Sequence, residues 1–65
     1  MTPTPGTLAD LRAGDIWCGR DNVKVTTVER VGDKVQVFGR ITNGRDRGRR
    51  SSWTFPADTP VEYVR

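Results

Sequence analysis

Residues 40–50 hold the side chains of this sequence that are best suited to binding chemistry. They comprise five arginines and one aspartate, a local charge of +4, whereas the whole chain carries only +3. The arginines are Arg40, Arg45, Arg47, Arg49 and Arg50. A guanidinium group forms paired hydrogen bonds with phosphate oxygens, and Gly44 and Gly48 give the backbone freedom to arrange such groups. The segment therefore predicts binding to a polyanion.

Nucleic acid is the partner that this chemistry favours, with DNA as the first candidate. Phe38 points outward on a predicted strand beside the arginines and offers a platform for stacked bases. The same charges would also steer the chain toward an acidic surface of a host protein, with Trp17 as an apolar anchor. Trp17 equally suits a structural role, covering an open end of the fold.

A purely structural reading of the arginines stays open. A charged hairpin tip keeps a small β-protein soluble and protects an edge strand from pairing with other chains. Nine of the eleven basic residues are arginine, a usage that also follows from a GC-rich genome. The sequence alone therefore leaves three interpretations: nucleic-acid binding, docking to an acidic protein, and solubility.

Catalysis is not predicted. The chain has no histidine, so it lacks the commonest general base, and its one cysteine, Cys18, cannot build a zinc site. The acidic residues fall at turns or alternate with apolar strand positions, without the paired spacing that acid–base work needs. No phosphate-cradling glycine motif occurs. We therefore expect a non-enzymatic binding module with no metal and no cofactor.

Length and composition bound the fold. At 65 residues the chain can form one domain with a thin core, and Cys18 has no partner for an internal disulfide. No signal-peptide stretch and no run near the ~20 apolar residues of a membrane span is present. These features predict a cytoplasmic protein without membrane contact, either a monomer or a weak homodimer.

Short β-branched segments separated by turn residues predict an all-β domain. Residues 1–6, with two prolines, are expected to be a flexible leader, and residues 7–65 the single domain. A short turn over residues 7–12, with Thr7 as cap and Asp10 three positions on, places Leu8 and Leu11 together. Five strands are predicted, over residues 16–18, 23–31, 34–42, 51–55 and 61–64.

The long hairpin over residues 23–42 allows the most specific structural predictions. A bulge near Thr26 and Thr27 would bring the valines before and after it to one face. Gly32 and Asp33 predict a two-residue hairpin turn. In the following strand the alternation places Val35, Val37, Gly39 and Ile41 inward, and Gly39 marks a bend or a close approach of another backbone. On the first strand Ile16 is expected to point inward, which leaves Trp17 outward or at the rim.

The order of these signals resembles the small SH3-like barrels. The resemblance rests on Leu11, the Gly14-Asp15-Ile16-Trp17 start, the long bent hairpin and the closing Trp53-Thr54-Phe55-Pro56 strand. It implies a small, five-stranded, partly open barrel with a short N-terminal turn. The pattern is also similar to short accessory proteins of actinobacterial phages. SH3-like barrels bind peptides, nucleic acids and proteins, so the resemblance implies no single function.

Overall fold

A computed structural model describes residues 2–65. It contains one antiparallel sheet of six strands, joined by tight turns and one short 3-10 turn at Leu8–Asp10. Within this part of the chain no helix is long and apolar enough to cross a membrane. The strands are β1 Thr4–Thr7, β2 Ile16–Cys18, β3 Val23–Val31, β4 Lys34–Ile41, β5 Arg50–Pro56 and β6 Pro60–Val64.

The strands lie in the order β1-β6-β2-β3-β4-β5, so β1 and β5 are the edges and the sheet is not closed. The all-β prediction is confirmed, with six strands in place of five. The extra strand is β1, which corrects the expected flexible leader over residues 4–6. Pro5 has no N–H to donate, but an edge strand has one unpaired side and tolerates proline there. Met1, also assigned to the leader, lies outside the described residues.

The core lies on the face of the sheet where the rings of Trp17 on β2 and Trp53 on β5 come into contact, and we call this face the concave side. The buried side chains of the core come from the 3-10 turn and from strands β3, β4 and β6. Alternation along β4 buries Val35, Val37, Gly39 and Ile41, as the sequence predicts. Val35 and Val37 pack in one hydrophobic cluster with Leu8, Leu11, Val25, Val61 and Tyr63.

The bulge in β3 falls where it was expected. The register with β4 shifts between Val25 and Thr27, and the Thr26 hydroxyl donates to the Phe38 carbonyl at 3.1 Å. Gly39 lies opposite Val25, and a Cβ at Gly39 would sit 2.7 Å from the carbonyl oxygen of Lys24. The close approach of another backbone predicted for Gly39 is confirmed.

Trp17 faces the core side of the sheet, so the predicted orientation of β2 is wrong. Trp17 lies opposite Val23 on β3 and Tyr63 on β6, and both of these partners are buried. Directly opposed residues share a face, because side chains alternate along each strand. Ile16, one residue earlier, is therefore on the outer face with Lys24.

The buried carboxylate of Asp15 forms hydrogen bonds with Arg12 and with Arg65 at the C-terminal end of the sequence. It accepts the backbone N–H of Arg12 at 2.8 Å and the Nε of Arg65 at 3.3 Å. Arg65 also donates from Nη2 to the Asp10 carbonyl at 2.8 Å and lies 4.8 Å from the centroid of the Tyr63 ring. The charge of Asp15, which is the one buried charged side chain within residues 2–65, is thus compensated, as burial of an ion requires.

The carboxylate of Asp10 in the 3-10 turn makes the folding stability of the domain depend on pH in the acidic range. The backbone N–H of Thr7 donates to Asp10 Oδ2 at 2.8 Å, and the Thr7 hydroxyl donates at 3.2 Å. These bonds, helped by Arg65 and Arg12, hold the pKa of Asp10 below its ordinary 3.8. A lowered folded-state pKa adds stability that is present above the unfolded value and lost as pH falls through the folded one.

We therefore expect the melting temperature of the wild type to exceed that of Asp10→Asn near neutral pH. Acidification from about pH 5 to below the ordinary pKa of 3.8 should narrow that gap, because protonation of the wild-type carboxylate removes its contribution. Thermal melts of both proteins across this range measure it. A gap that stays constant would show that the Asp10 charge does not contribute.

Candidate nucleic-acid interface

A row of three cations crosses the outer face of the sheet. Arg40 on β4 lies directly opposite Lys24 on β3 and directly opposite Arg50 on β5. All three residues are exposed, and within residues 2–65 none of them forms an ion pair. We call Lys24, Arg40 and Arg50 the cation row. Like charges directly opposite one another in a sheet are destabilising, so the row has a folding cost and no internal compensation.

The other arginines lie in the connection between β4 and β5, residues 42–49, which we call the arginine loop. Arg45, Arg47 and Arg49 are all exposed there. Among these three, within the described residues, only Arg49 forms an ion pair: its Nη1 lies 3.8 Å from Asp46 Oδ1, with both side chains more than half exposed. Such a pair contributes little stability and leaves the guanidinium accessible. The loop therefore adds three available cations at the ends of β4 and β5, next to the cation row.

The arginine loop is held by its backbone. The Gly48 N–H donates to the Ile41 carbonyl at 2.7 Å, and the Ile41 N–H donates to the Arg49 carbonyl at 2.9 Å. Gly44 and Gly48 have φ of +76° and +89°, in the left-handed region that favours glycine. The glycines were expected to provide freedom, but here they form turns. A defined loop loses less conformational entropy when it binds.

The arginine loop also contacts the connection between β2 and β3. The Asn22 N–H donates to Asn43 Oδ1 at 2.8 Å, and the N–H and hydroxyl of Thr42 both donate to the Asn22 carbonyl. These three hydrogen bonds fix the first residues of the arginine loop relative to the start of β3. The position of the three loop arginines relative to the cation row is thereby restricted.

Phe38 lies on the outer face, as predicted, one side-chain row from Arg40 along β4. Its neighbours across the sheet are Thr27 on β3 and Ser52 on β5. The ring is half-buried beside a cleft of about 490 Å³ that also reaches Arg40 and Arg50. Aromatic surface and positive charge are therefore adjacent at this site.

Trp17 belongs to a different surface. Its ring meets that of Trp53 edge to face, with centroids 5.7 Å apart and planes at 79°. With Phe55, Val23 and the loop bearing Arg20, these rings line a second cleft of about 260 Å³ on the concave side. We call this surface the aromatic cleft. The structure therefore does not bring Trp17 together with Phe38 and the cation row.

Lys24 is the site residue that sequence reasoning missed. Its signal was the alternation with Val23 and Val25, which puts it on the outer face, but only the pairing register reveals that it faces Arg40. Within residues 2–65 no group of three or more His, Cys, Asp or Glu side chains is placed to hold a metal ion. At this site the described residues thus offer charge, hydrogen bonding and the half-buried aromatic ring of Phe38.

No protein-family model, no curated protein and no solved structure matches this chain.

Proposed function

We propose that this protein is a small, non-enzymatic nucleic-acid-binding module. The observation that carries the proposal is the cation row: three exposed like charges that face one another across three strands without an acidic partner. The mutual repulsion is relieved when phosphates neutralise the row, so binding a polyanion gains free energy that the isolated protein lacks. DNA remains the first candidate for the polyanion.

We also propose that strands β2 to β6 form a partly open, SH3-like barrel. Strands β2 to β5 are consecutive neighbours, and β6 returns to pair with β2. The sheet order separates β2 from β5 by two strands, yet Trp17 and Trp53 are in ring contact. Such contact requires strong curvature, which the bulge in β3 assists. A role as an accessory protein of an actinobacterial phage is compatible with this small scaffold.

Salt dependence and charge variants test the binding proposal. If the cation row and the three loop arginines each neutralise one phosphate, affinity for DNA should fall roughly 10³-fold between about 50 and 200 mM salt. Replacing Lys24, Arg40 and Arg50 by glutamine should reduce the salt slope by about three. Fluorescence anisotropy with labelled oligonucleotides measures both quantities, and the variant should fold at least as stably as the wild type.

A matched control removes the same charge elsewhere. Arg12, Arg30 and Lys34 are exposed, and glutamine at these positions also lowers the net charge by three. Lys34 lies six residues from Arg40 along β4, about 20 Å away. The control should retain most of the affinity. Equal losses in the two variants would mean that net charge, and not the cation row, governs binding, and an absence of binding at low salt would overturn the proposal.

Docking to an acidic surface of a host protein is the second candidate function. It is favoured by the aromatic cleft, because two tryptophans and Phe55, 41% exposed, are anchors of the kind that protein interfaces use. The Asn22–Asn43 bond holds the cleft's loop against the arginine loop, so one partner could reach both. Both tryptophans of the chain line this cleft, so tryptophan emission distinguishes the candidates. A partner seated there should shift the emission, whereas nucleic acid on the cation row should not.

A further inference from the structure

The cleft beside Phe38 has the dimensions and lining of a small-ligand site. Its volume of about 490 Å³ falls within the range of roughly 300–1,000 Å³ that such sites occupy. Phe38 supplies an aromatic surface, Arg40 and Arg50 supply positive charge, and Thr27 and Glu29 supply hydrogen-bonding groups. This combination suits a ligand with a flat ring attached to an anion.

The strand register places the positive charges, the aromatic ring and the carboxylate in successive rows of side chains. The cation row is one row of side chains, and the row Thr27-Phe38-Ser52 is the next on the same face. Successive rows lie two residues apart along a strand, about 6.8 Å. Glu29 follows one row further, opposite Gln36. Positive charge, aromatic ring and carboxylate thus succeed each other across the outer face.

A nucleotide presents matching groups in the same order. Its phosphate matches the cation row, its base matches Phe38, and a carboxylate such as Glu29 can accept a hydrogen bond from an exocyclic amino group, as glutamate does with cytosine. In a duplex the base faces are already stacked and the pairing edges are occupied. Only an unpaired base can lie flat on an aromatic side chain, which is the mode by which single strands are bound.

We propose that the cation row and Phe38 together bind single-stranded nucleic acid, with one unpaired base stacked on Phe38 and the flanking phosphates on Lys24, Arg40 and Arg50. This inference rests on the proposed function, and it names the substrate class. Single strands, and not duplexes, are then the preferred ligand. Because Phe38 is half-buried and held by the strand, little conformational entropy is lost when a base stacks on it.

The test compares Phe38→Leu with the wild type on two probes, a labelled single strand of about 12 nucleotides and a hairpin duplex of the same sequence. Loss of one stacked base should weaken single-strand binding roughly 5- to 150-fold and leave duplex binding unchanged. Phe55→Leu is the matched control, since Phe55 is a partly exposed phenylalanine on the concave face of β5, opposite Val35. It should bind both probes as the wild type does.

The outcomes separate the two proposals. Equal affinity of the wild type for both probes, with no effect of Phe38→Leu, would overturn the single-strand inference while salt-dependent binding through the cation row still stood. Absence of binding to either probe at low salt would overturn both. Should Phe38→Leu fail to fold, the ring protons of Phe38 in the wild type provide the measurement. A stacked base must shift them upfield on addition of the single strand, and unchanged resonances would refute stacking.

Discussion

Replacing Gly39 by alanine should destabilise the domain by about 3 kcal/mol, at the upper end of what overpacking costs. A Cβ there would lie 2.5 Å from Cγ1 of Val23 and 2.7 Å from the carbonyl oxygen of Lys24. The valine can rotate, but the carbonyl belongs to the paired backbone of β3. The loss is a large share of the roughly 3–10 kcal/mol expected for a chain of this length. Urea denaturation followed by tryptophan fluorescence measures it.

Gly19→Ala is the matched control for Gly39→Ala. A Cβ at Gly19 would meet only the Asp21 carbonyl oxygen at 3.8 Å, an ordinary contact, so its stability should change little. Adding Val23→Ala to Gly39→Ala should not restore wild-type stability, because the contact with Lys24 persists. Full rescue by that second substitution would show that the backbone approach is not the cause.

Leu8→Ala is the other substitution with a large expected effect, about 2–5 kcal/mol of destabilisation. Leu8 is fully buried, and its N–H donates to the Thr59 carbonyl at 2.9 Å. Removing three carbons there leaves a cavity between the 3-10 turn and the core, and the backbone bond holds the turn in place so that the cavity cannot collapse. The midpoint of urea denaturation should fall accordingly.

The control for Leu8→Ala is Val31→Ala, which truncates an apolar side chain that is 55% exposed. We expect a change of only a few tenths of a kcal/mol, as for most surface substitutions. If the two variants lost similar stability, the 3-10 turn would be a peripheral addition and not part of the core.

Features set by neighbouring residues were predictable from the sequence. The alternation of β4 follows from the period of two in valine and isoleucine, and Gly32-Asp33 forms the expected two-residue turn between β3 and β4. The β3 bulge was predictable because Val25 and Val28 share the core side only if one residue is inserted between them. In each case the signal lies within a few residues of the feature.

Features set by distant pairing were not predictable. Thr4–Thr7 pairs with Pro60–Val64, more than fifty residues away, and its Pro5 and Gly6 give no strand signal of their own. Trp17 was assigned to the wrong face because Ile16 and Trp17 are both apolar, and only the pairing of Trp17 with Val23 decides between them. With only three residues, all of them apolar, β2 has no polar–apolar alternation that would show which side chains face the core.

The candidate site was predictable in part. The arginine cluster and the outward Phe38 follow from composition and alternation. The cation row depends on two registers that the sequence does not specify. In a hairpin without a bulge Lys24 would face Ile41, and the one-residue shift between Val25 and Thr27 moves it opposite Arg40. The length of the arginine loop then determines that Arg50 faces Arg40.

The inner position of β6 in the sheet bears on how the chain folds during synthesis. Pro60–Val64 lies between β1 and β2 and supplies Val61 and Tyr63 to the core, so the ribosome releases the arginine loop before the core can close. Pairing between such distant segments is slow, on the order of milliseconds to seconds for all-β domains. During that interval the arginines are attached to an open chain in a cell rich in RNA. Transient contacts between nascent chain and RNA are therefore expected before the native sheet has formed.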